Sequence, residues 1–277
     1  MKDEQEIKEM VKAKYGAIVQ QSTQPNQSSC CGSGCGCSNV EFSVMTDDYA
    51  KLPGYVPEAD LGLGCGLPTE NAQIKAGDTV VDLGAGAGND CFVARSIVGE
   101  NGRVIGIDMT AAMIDKARSN AGKLGFKNVE FRLGDIDKMP IADDTADVVV
   151  SNCVMNLVPN KQHAFAETFR IIKPSGHFSI SDIVLQGQLP QELRDHVLLY
   201  AGCIAGAVQK DEYLRIIKEA GFVNIKVQKE RKIVVPRELL AKFLSADQLR
   251  QLEKSHVGVL SVTVYAEKPG NKGQVVE

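Results

Sequence analysis

The chain has 277 residues, of which 44% are hydrophobic and 24% are charged, values typical of a soluble globular protein. Its net charge is −4, and no run of Lys or Arg forms the basic face that phosphate-backbone binding needs, which argues against a nucleic-acid partner. No apolar stretch approaches the roughly 18 residues of a membrane helix. The charged N-terminus is not a signal peptide, so we expect a cytoplasmic protein with no membrane partner.

The first predicted element is a helix at the N-terminus. Residues 3–20 have an amphipathic pattern that favours one helix over this range. Its predicted apolar face contains Ile7, Met10, Val11 and the aliphatic stem of Lys14.

A polar, cysteine-rich segment follows this helix. Residues 21–39 are rich in Gly and Ser and predict flexible chain, and repeated Pro and Gly in residues 53–70 predict irregular structure. The first segment contains four of the eight cysteines, namely Cys30, Cys31, Cys35 and Cys37. Because the cytosol is reducing, metal binding or thiol chemistry explains so many cysteines better than a disulfide framework does.

From residue 78 onward, strands and helices alternate. Short apolar runs predict strands at 78–84, 103–109, 128–135, 146–152 and 176–185. Amphipathic patterns predict helices at 89–99, 110–125 and 161–173. Strands that alternate with helices of this length form βαβ units, so the sequence predicts an α/β fold with a parallel sheet.

The C-terminal part breaks this alternation. Residues 184–210 form an insertion that contains a helix of its own. Strands are predicted at 222–235 and 258–268, with helices at 210–221 and 246–255. The sequence after residue 78 contains no linker that would indicate a separate second domain.

A Gly-rich turn follows the first predicted strand of the sheet. In VVDLGAGAGND, glycines occupy positions 84, 86 and 88, and residue 89 is Asn. The spacing is G-x-G-x-G, not the G-x-G-x-x-G that cradles a pyrophosphate. It lets the backbone approach a ligand closely, although such a turn in an α/β protein is also often only a tight turn.

Acidic residues end the next two strands. Asp108 is suited to two ribose hydroxyls, although a residue in its place also commonly caps a helix. Asp135 can accept the exocyclic amine of an adenine, with Ile136 packed on the ring.

In this order and spacing, the set resembles the class I S-adenosylmethionine-dependent methyltransferases. That resemblance implies a Rossmann-like seven-stranded sheet with its last strand antiparallel and helices on both faces. It also implies a cofactor site made by Asp82, Gly84, Ala85, Gly86, Gly88, Asp108, Met109, Gly134, Asp135, Ile136 and Asn152.

Three cysteines from distant parts of the chain could share the acceptor pocket. Ligands of open α/β sheets bind at the carboxyl ends of the strands, where Cys153 follows the fourth strand. Cys65 lies in a segment that often covers the cofactor, and Cys203 lies in the insertion that often roofs the acceptor. Asn152 either lines this pocket or caps the strand, and Cys91 is predicted to be a core residue.

Three thiolates suit a soft trivalent ion that has a lone pair. Trivalent arsenic fits, because three S–As bonds leave its lone pair free to attack a sulfonium methyl group. Holding both reactants in register then supplies most of the catalysis. No general base is needed, since arsenic carries no proton.

GLGCGLPT, DLGAGAGNDCFVAR, VIGIDMT, SNCVMNLVPNK and AGCIAGA together resemble the arsenite methyltransferases. The resemblance implies stepwise methylation of arsenite and methylarsenite, presented free or as thiol conjugates, for arsenic detoxification. It also implies a cysteine disulfide relay that glutathione or a thioredoxin-like protein reduces. The implied arsenic ligands are Cys153 and Cys203, with Cys65 as the third thiol, either a ligand or a disulfide partner, and one of the four cysteines at 30–37 as a further candidate.

The predicted elements and the resemblance together divide the chain into three parts. Residues 1–60 are an N-terminal helix and flexible Cys-rich segment, 61–185 the cofactor-binding α/β core, and 186–277 the acceptor-site insertion and completion of the sheet. Two alternatives stay open: a carbon or oxygen methyltransferase of a quinone-like acceptor, and a metalloid-binding protein without activity. His163 and His177 are predicted to belong to the scaffold.

Overall fold

The fold is that of a computed structural model, which describes residues 4–22, 47–187, 206–233, 237–240, 244–255 and 257–270. Several sequence predictions therefore lie outside the described residues. They are the flexible segment 21–39 beyond residue 22, the helix within the insertion, and five cysteines, namely Cys30, Cys31, Cys35, Cys37 and Cys203.

One sheet of seven strands organises the described part of the chain. The strands are β1 (Thr79–Leu83), β2 (Arg103–Asp108), β3 (Val129–Leu133), β4 (Ala146–Asn152), β5 (Ile172–Gln186), β6 (Val223–Ile233) and β7 (Gly258–Glu267). Their order is β3-β2-β1-β4-β5-β7-β6. The pairs among β1 to β5 are parallel, and β7 is antiparallel to both β5 and β6. The predicted class I fold, with its last strand antiparallel, is confirmed.

Helices connect and cover these strands. They are α1 (Glu4–Ser22), α2 (Asn89–Val98), α3 (Ala111–Leu124), α4 (Lys161–Ile171), α5 (Lys210–Glu219), α6 (Arg237–Leu240) and α7 (Ala246–Lys254). Short 3-10 turns occur in the stretch predicted to be irregular, at Pro57–Ala59 and Pro68–Asn71. None of the helices in the described ranges is long and apolar enough to span a membrane.

The sheet has an apolar layer on each face, as alternation along the strands requires. In β1, Val81 and Leu83 join the layer that contains Phe165 of α4. Val80 faces the opposite layer, which contains Phe92 of α2. Helices therefore pack on both faces, and the carboxyl ends of β1 to β4 meet at one edge.

Two predicted boundaries differ from the structure for identifiable reasons. The helix predicted over 161–173 ends at Ile171, and β5 begins at Ile172. Pro174 lies two residues after the start of β5, and Lys173, the residue before it, is disfavoured in helical conformation. The predicted apolar face of α1 is also partly wrong, because Met10 is 54% exposed.

Both scaffold histidines lie away from the strand ends that carry the predicted site. His177 contacts the carbonyl of Ala72 at 2.7 Å and stacks on Tyr265, with ring centroids 5.1 Å apart. His163 is exposed on α4.

A buried carboxyl group interrupts the apolar layer under α4 and α5. Asp182 of β5 is fully buried, accepts the Tyr213 hydroxyl at 3.2 Å and accepts the N–H of Ile183 at 3.1 Å. Burial raises the pKa of Asp182 to about 7, although the charge of Lys161 and these two hydrogen bonds act in the opposite direction. The folded protein therefore holds this proton more tightly than the unfolded chain does.

We expect Asp182→Asn to gain stability relative to the wild type as the pH rises. Between about pH 4 and pH 7 the unfolded chain has lost the proton that the folded state keeps, so wild-type stability falls over this window. The stability of Asp182→Asn minus that of the wild type should grow by about 2–3 kcal/mol between pH 5 and pH 8. Urea unfolding at both pH values measures it, with the exposed Asp143→Asn as control. An equal difference at both pH values would contradict the buried, proton-holding carboxyl.

Candidate active site

A pocket opens at the carboxyl ends of β1 to β4 and holds about 1030 Å³, its mouth included. The carboxyl ends of the strands are the edge at which open α/β sheets bind small molecules and cofactors. Most predicted cofactor residues line it, together with one predicted arsenic ligand: Asp82, Gly84, Ala85, Gly86, Asp108, Met109, Asp135, Ile136, Asn152 and Cys153. The other two predicted glycines pack on side chains, since a Cβ at Gly88 would lie 2.9 Å from Phe131 and one at Gly134 would lie 2.5 Å from Pro140.

The Gly-rich turn needs glycine for its backbone conformation. Gly84 and Gly88 have φ angles of 69° and 98°, in the left-handed region that other residues rarely adopt. A Cβ on Gly84 would also lie 2.5 Å from the Val154 side chain. The turn thereby brings the backbone close to the pocket and begins α2.

Asp108 lies at the end of β2 with both carboxylate oxygens held by backbone. One oxygen accepts the Gly86 N–H at 3.0 Å and the other accepts the Thr110 N–H at 2.8 Å. Burial raises the pKa of Asp108, and the two backbone hydrogen bonds partly counteract that effect. Each oxygen keeps a lone pair, so this carboxylate can still accept two hydroxyl groups of a ligand.

Two buried carboxyl groups line the pocket near the Gly-rich turn. Asp82 accepts a hydrogen bond from the Cys91 thiol at 3.2 Å, and burial together with the charge of Asp90 raises its pKa well above the ordinary value. Asp90 accepts the Tyr49 hydroxyl at 2.8 Å and the Thr69 hydroxyl at 3.4 Å. Burial raises the pKa of Asp90 to about 6. A cationic ligand would relieve the cost of ionising these two groups.

Asn89 adds an acceptor with no assigned role in the fold. Its Oδ1 is buried, lines the same pocket and has no hydrogen-bond partner within the described part of the chain. An unsatisfied buried acceptor beside two carboxyl groups fits the ammonium end of an amino-acid cofactor. These acidic and acceptor groups therefore fit S-adenosylmethionine, which has a positive sulfur, an ammonium group and two ribose hydroxyls.

Asn152 ties the end of β4 to the loop that contains Cys65. Its Oδ1 accepts the Cys65 N–H at 2.9 Å, and its Nδ2 donates to the Gly66 carbonyl at 2.8 Å and to the Tyr49 hydroxyl. A Cβ at Gly64 would lie 2.5 Å from Nδ2, so the loop packs directly on this side chain. Asn152 thus lines the pocket and also holds the loop that contains Cys65, a contact that the sequence did not predict.

Cys65 and Cys153 meet in one buried cluster beside the pocket. Their exposures are 0% and 2%, and both pack with Ile183, Leu244 and Val259. Cys153 has a φ of 62°, and its N–H donates to the Ser181 carbonyl at 2.7 Å. Within the described ranges, no three His, Cys, Asp or Glu side chains form a metal-binding group, so a three-thiol set depends on a residue outside those ranges.

Comparison with known proteins agrees with this arrangement. Residues 74–221 match the family described as a methyltransferase domain. An arsenite methyltransferase of Halobacterium salinarum is 38% identical to this chain, over 97% of the chain and 68% of that protein. The chain belongs to the arsenite methyltransferase family. Membership makes it an S-adenosylmethionine-dependent enzyme.

Two further relatives support the assignment to the arsenite methyltransferase family. An arsenite methyltransferase of Aquipseudomonas alcaligenes is 34% identical over 85% of this chain and 68% of that protein. The crystal structure of an arsenic(III) S-adenosylmethionine methyltransferase from Chlamydomonas reinhardtii has a TM-score of 0.63 and 33% identity. That likeness covers 75% of this chain and 68% of the algal chain.

Sequence reasoning missed three pocket residues of this family member. Tyr49 lies before the first predicted strand, in a stretch with no motif around it. Asn89 and Asp90 directly follow the last glycine of the turn. In the sequence, Asn89 is only a departure from the dinucleotide spacing. The available signal for Asp90 was its place in the first helical turn directly after the Gly-rich loop, at the carboxyl end of β1, where open α/β sheets bind ligands.

We expect Asn152→Ala to destabilise the protein and to slow methyl transfer. The substitution leaves the buried Cys65 N–H, Gly66 carbonyl and Tyr49 hydroxyl without their shared partner, which costs about 2–4 kcal/mol. The loop that contains Cys65 should be held less firmly against β4, and the methylation rate should fall by about 100-fold. Urea unfolding and a methylation assay measure the two effects.

Asn156→Ala is the matched control, because Asn156 is a buried asparagine four positions further on. Its Nδ2 donates to the Ile183 carbonyl at 2.7 Å, and its Oδ1 lacks a partner among the described residues. Its removal therefore costs one hydrogen bond and also removes one unsatisfied atom. Equal losses of stability for the two variants would contradict the anchoring role of Asn152.

Proposed function

We propose that this protein transfers the methyl group of S-adenosylmethionine to trivalent arsenic held by cysteine thiolates. The observation that carries the proposal is that Cys65 and Cys153 belong to one buried cluster, beside the pocket that Cys153 lines. Two thiols from different segments, beside a pocket suited to a sulfonium cofactor, match the requirements of arsenic methylation better than those of an organic acceptor.

The cofactor residues of this proposal form two groups. Asp108 would accept the ribose hydroxyls, while Asp82, Asp90 and Asn89 would face the positively charged end. S-adenosylmethionine, when bound, supplies an electrophilic methyl group on a positive sulfur. The residues Gly84, Ala85, Gly86, Met109, Asp135, Ile136 and Asn152 would complete the site.

Thiol binding of arsenite needs no external acid or base. Each cysteine S–H exchanges with an As–OH group, so that an S–As bond forms and the thiol proton leaves with the hydroxide as water.

Cys153 and Cys65 would be two of the ligands. Cys203, which lies outside the described residues, would be the third, as the resemblance to the arsenite methyltransferases implies. A Cβ at Gly206 would lie 1.9 Å from the Asn156 carbonyl oxygen, so Gly206 packs on the loop that follows Cys153.

The thiolate ligands would also supply the two electrons that return arsenic to the trivalent state after methyl transfer. Transfer of a methyl cation to the arsenic lone pair oxidises arsenic from the trivalent to the pentavalent state. Departure of two thiolates as a disulfide returns arsenic to the trivalent state, and a thiol reductant of glutathione or thioredoxin type then reduces the disulfide. One of Cys30, Cys31, Cys35 and Cys37 would exchange thiols with the substrate or add a ligand, and the physiological purpose would be arsenic detoxification.

The three-part division of the chain belongs to the same proposal. Residues 61–185 contain every strand that borders the pocket, and 186–277 add β6 and β7. Residues 1–60 supply α1 and Tyr49, which cover the pocket from the other side.

Arsenic speciation tests the function directly. Purified protein is incubated with arsenite, labelled S-adenosylmethionine and a thiol reductant, and the arsenic species are separated by chromatography. Methylated arsenic is expected, and reactions without protein or without arsenite are the controls. Tight arsenite binding with no methylated product would support a metalloid-binding protein instead, and neither binding nor product would return an organic acceptor to consideration.

A further inference from the structure

The N-terminal helix α1 forms one wall of the cofactor pocket. Lys8, Val11 and Tyr15 recur at helical spacing on one face and line the pocket. Asp135 and Ile136, in the loop after β3, line the same pocket.

Lys8 is the contact that joins this wall to the loop after β3. Its Nζ lies 2.9 Å from a carboxylate oxygen of Asp135 and 2.5 Å from one of Asp137. The Lys8 side chain is only 14% exposed, so the ion pairs are shielded from solvent more than surface pairs are. Partial burial lowers the pKa of Lys8, but the hydrogen bonds to Asp137 and Asp135 outweigh that effect and the pKa is raised.

The contact with Lys8 occupies only one of the two carboxylate oxygens of Asp135. Lys8 holds one oxygen of Asp135, so the other remains available to accept the amino group of an adenine. Asp137 is not among the residues that line the pocket, and its carboxylate pairs with Lys8. A ligand between α1 and the strand ends would lie behind the wall that these two ion pairs connect to the loop after β3.

We propose that α1 closes over the adenine end of the cofactor and that Lys8, bound to Asp135 and Asp137, is the latch that sets how long the cofactor stays bound. The proposal rests on the cofactor site proposed above. Lys8 is a positioning residue, since it acts through the two carboxylates and not on the methyl group. Its loss should accelerate cofactor dissociation more than it slows association.

Cofactor binding without arsenic tests the latch. Lys8→Met keeps the length of the side chain and removes the charge. We expect radiolabelled S-adenosylmethionine to dissociate about 10-fold faster from it in a chase experiment, with an equal loss of affinity by calorimetry. Lys12→Met is the matched control, because Lys12 lies on the same helix and pairs with Glu9 of that helix, so its dissociation rate should stay within about twofold.

A double-mutant cycle distinguishes the latch from a general loss of helix stability. Asp137→Asn should accelerate dissociation as Lys8→Met does, and the double variant should be no faster than either one. Lys8→Arg should restore slow dissociation, and thermal unfolding of the cofactor-free variants should match the wild type. Additive effects in the double variant, or an affinity loss through association alone, would overturn the latch.

Failure of the latch and failure of the proposed function give different results. A wild-type protein that does not bind S-adenosylmethionine overturns the proposed cofactor site itself. A wild-type protein that binds it, with Lys8→Met indistinguishable in dissociation rate, overturns the latch alone.

Discussion

Replacing Cys153 with serine is expected to abolish methylation of arsenite and methylarsenite, lowering kcat/KM by at least about 1000-fold. Serine supplies a hard oxygen that keeps its proton at neutral pH, so arsenic loses a soft ligand at the pocket rim. The fold should survive, because serine has the same branching at Cβ and tolerates the φ of 62° no worse than cysteine does. S-adenosylmethionine affinity, measured by calorimetry, should stay within about threefold of the wild type.

Cys91→Ser is the control for this experiment. Cys91 is equally buried, but its thiol donates to Asp82 at 3.2 Å and does not join the cluster of Cys65 and Cys153. A serine hydroxyl can make the same hydrogen bond, so methylation should stay within about threefold of the wild type. A Cys153→Ser variant that methylates arsenite near the wild-type rate would remove Cys153 from the ligand set.

The parts of the fold that sequence reasoning predicted correctly are those with local signals. The strands β1 to β4 are short apolar runs followed by turn residues, and each was predicted to within about two residues of its observed bounds. The positions of the G-x-G-x-G turn after β1 and of Asp108 at the end of β2 were predictable, because they have steric and hydrogen-bonding causes within a few residues.

The parts that were missed depend on contacts between distant segments. Hydrophobic periodicity placed Met10 on the buried face of α1, whereas the face that packs on the pocket is centred on Lys8 and its ion pairs. A charged residue in a packing face carries no hydrophobic signal. Tyr49 is buried because its hydroxyl reaches Asp90 and Asn152, residues that lie far away in the sequence.

Those same contacts connect the cofactor side of the pocket to the thiol side. The Tyr49 hydroxyl donates to Asp90 and accepts from Asn152, and Asn152 holds the backbone of Cys65. Charge at the cofactor end and the position of a proposed arsenic ligand are therefore linked by one chain of buried hydrogen bonds. An unpaired member of such a buried network is costly, because the surrounding dielectric is low.

Asp108→Asn is expected to weaken S-adenosylmethionine binding by about 100-fold, because hydrogen bonds to a charged group contribute about 1.5–3 kcal/mol each. An amide offers one acceptor oxygen where the carboxylate offers two. Its NH2 group would face the N–H of either Gly86 or Thr110, which pushes the Gly-rich turn out of position. Calorimetric titration with S-adenosylhomocysteine, which needs no turnover, measures the loss.

Asp147→Asn separates this effect from the general cost of losing a carboxylate. Asp147 accepts the Thr79 N–H at 2.9 Å and pairs with Lys173, but it lies at the amino end of β4, across the sheet from the pocket. Both variants lose a carboxylate that accepts a backbone N–H, so both should lose stability, whereas Asp147→Asn should leave cofactor affinity within about twofold. If Asp108→Asn also bound S-adenosylhomocysteine within threefold of the wild type, the ribose would have to lie elsewhere, and the assignment of the pocket to the cofactor would fail with it.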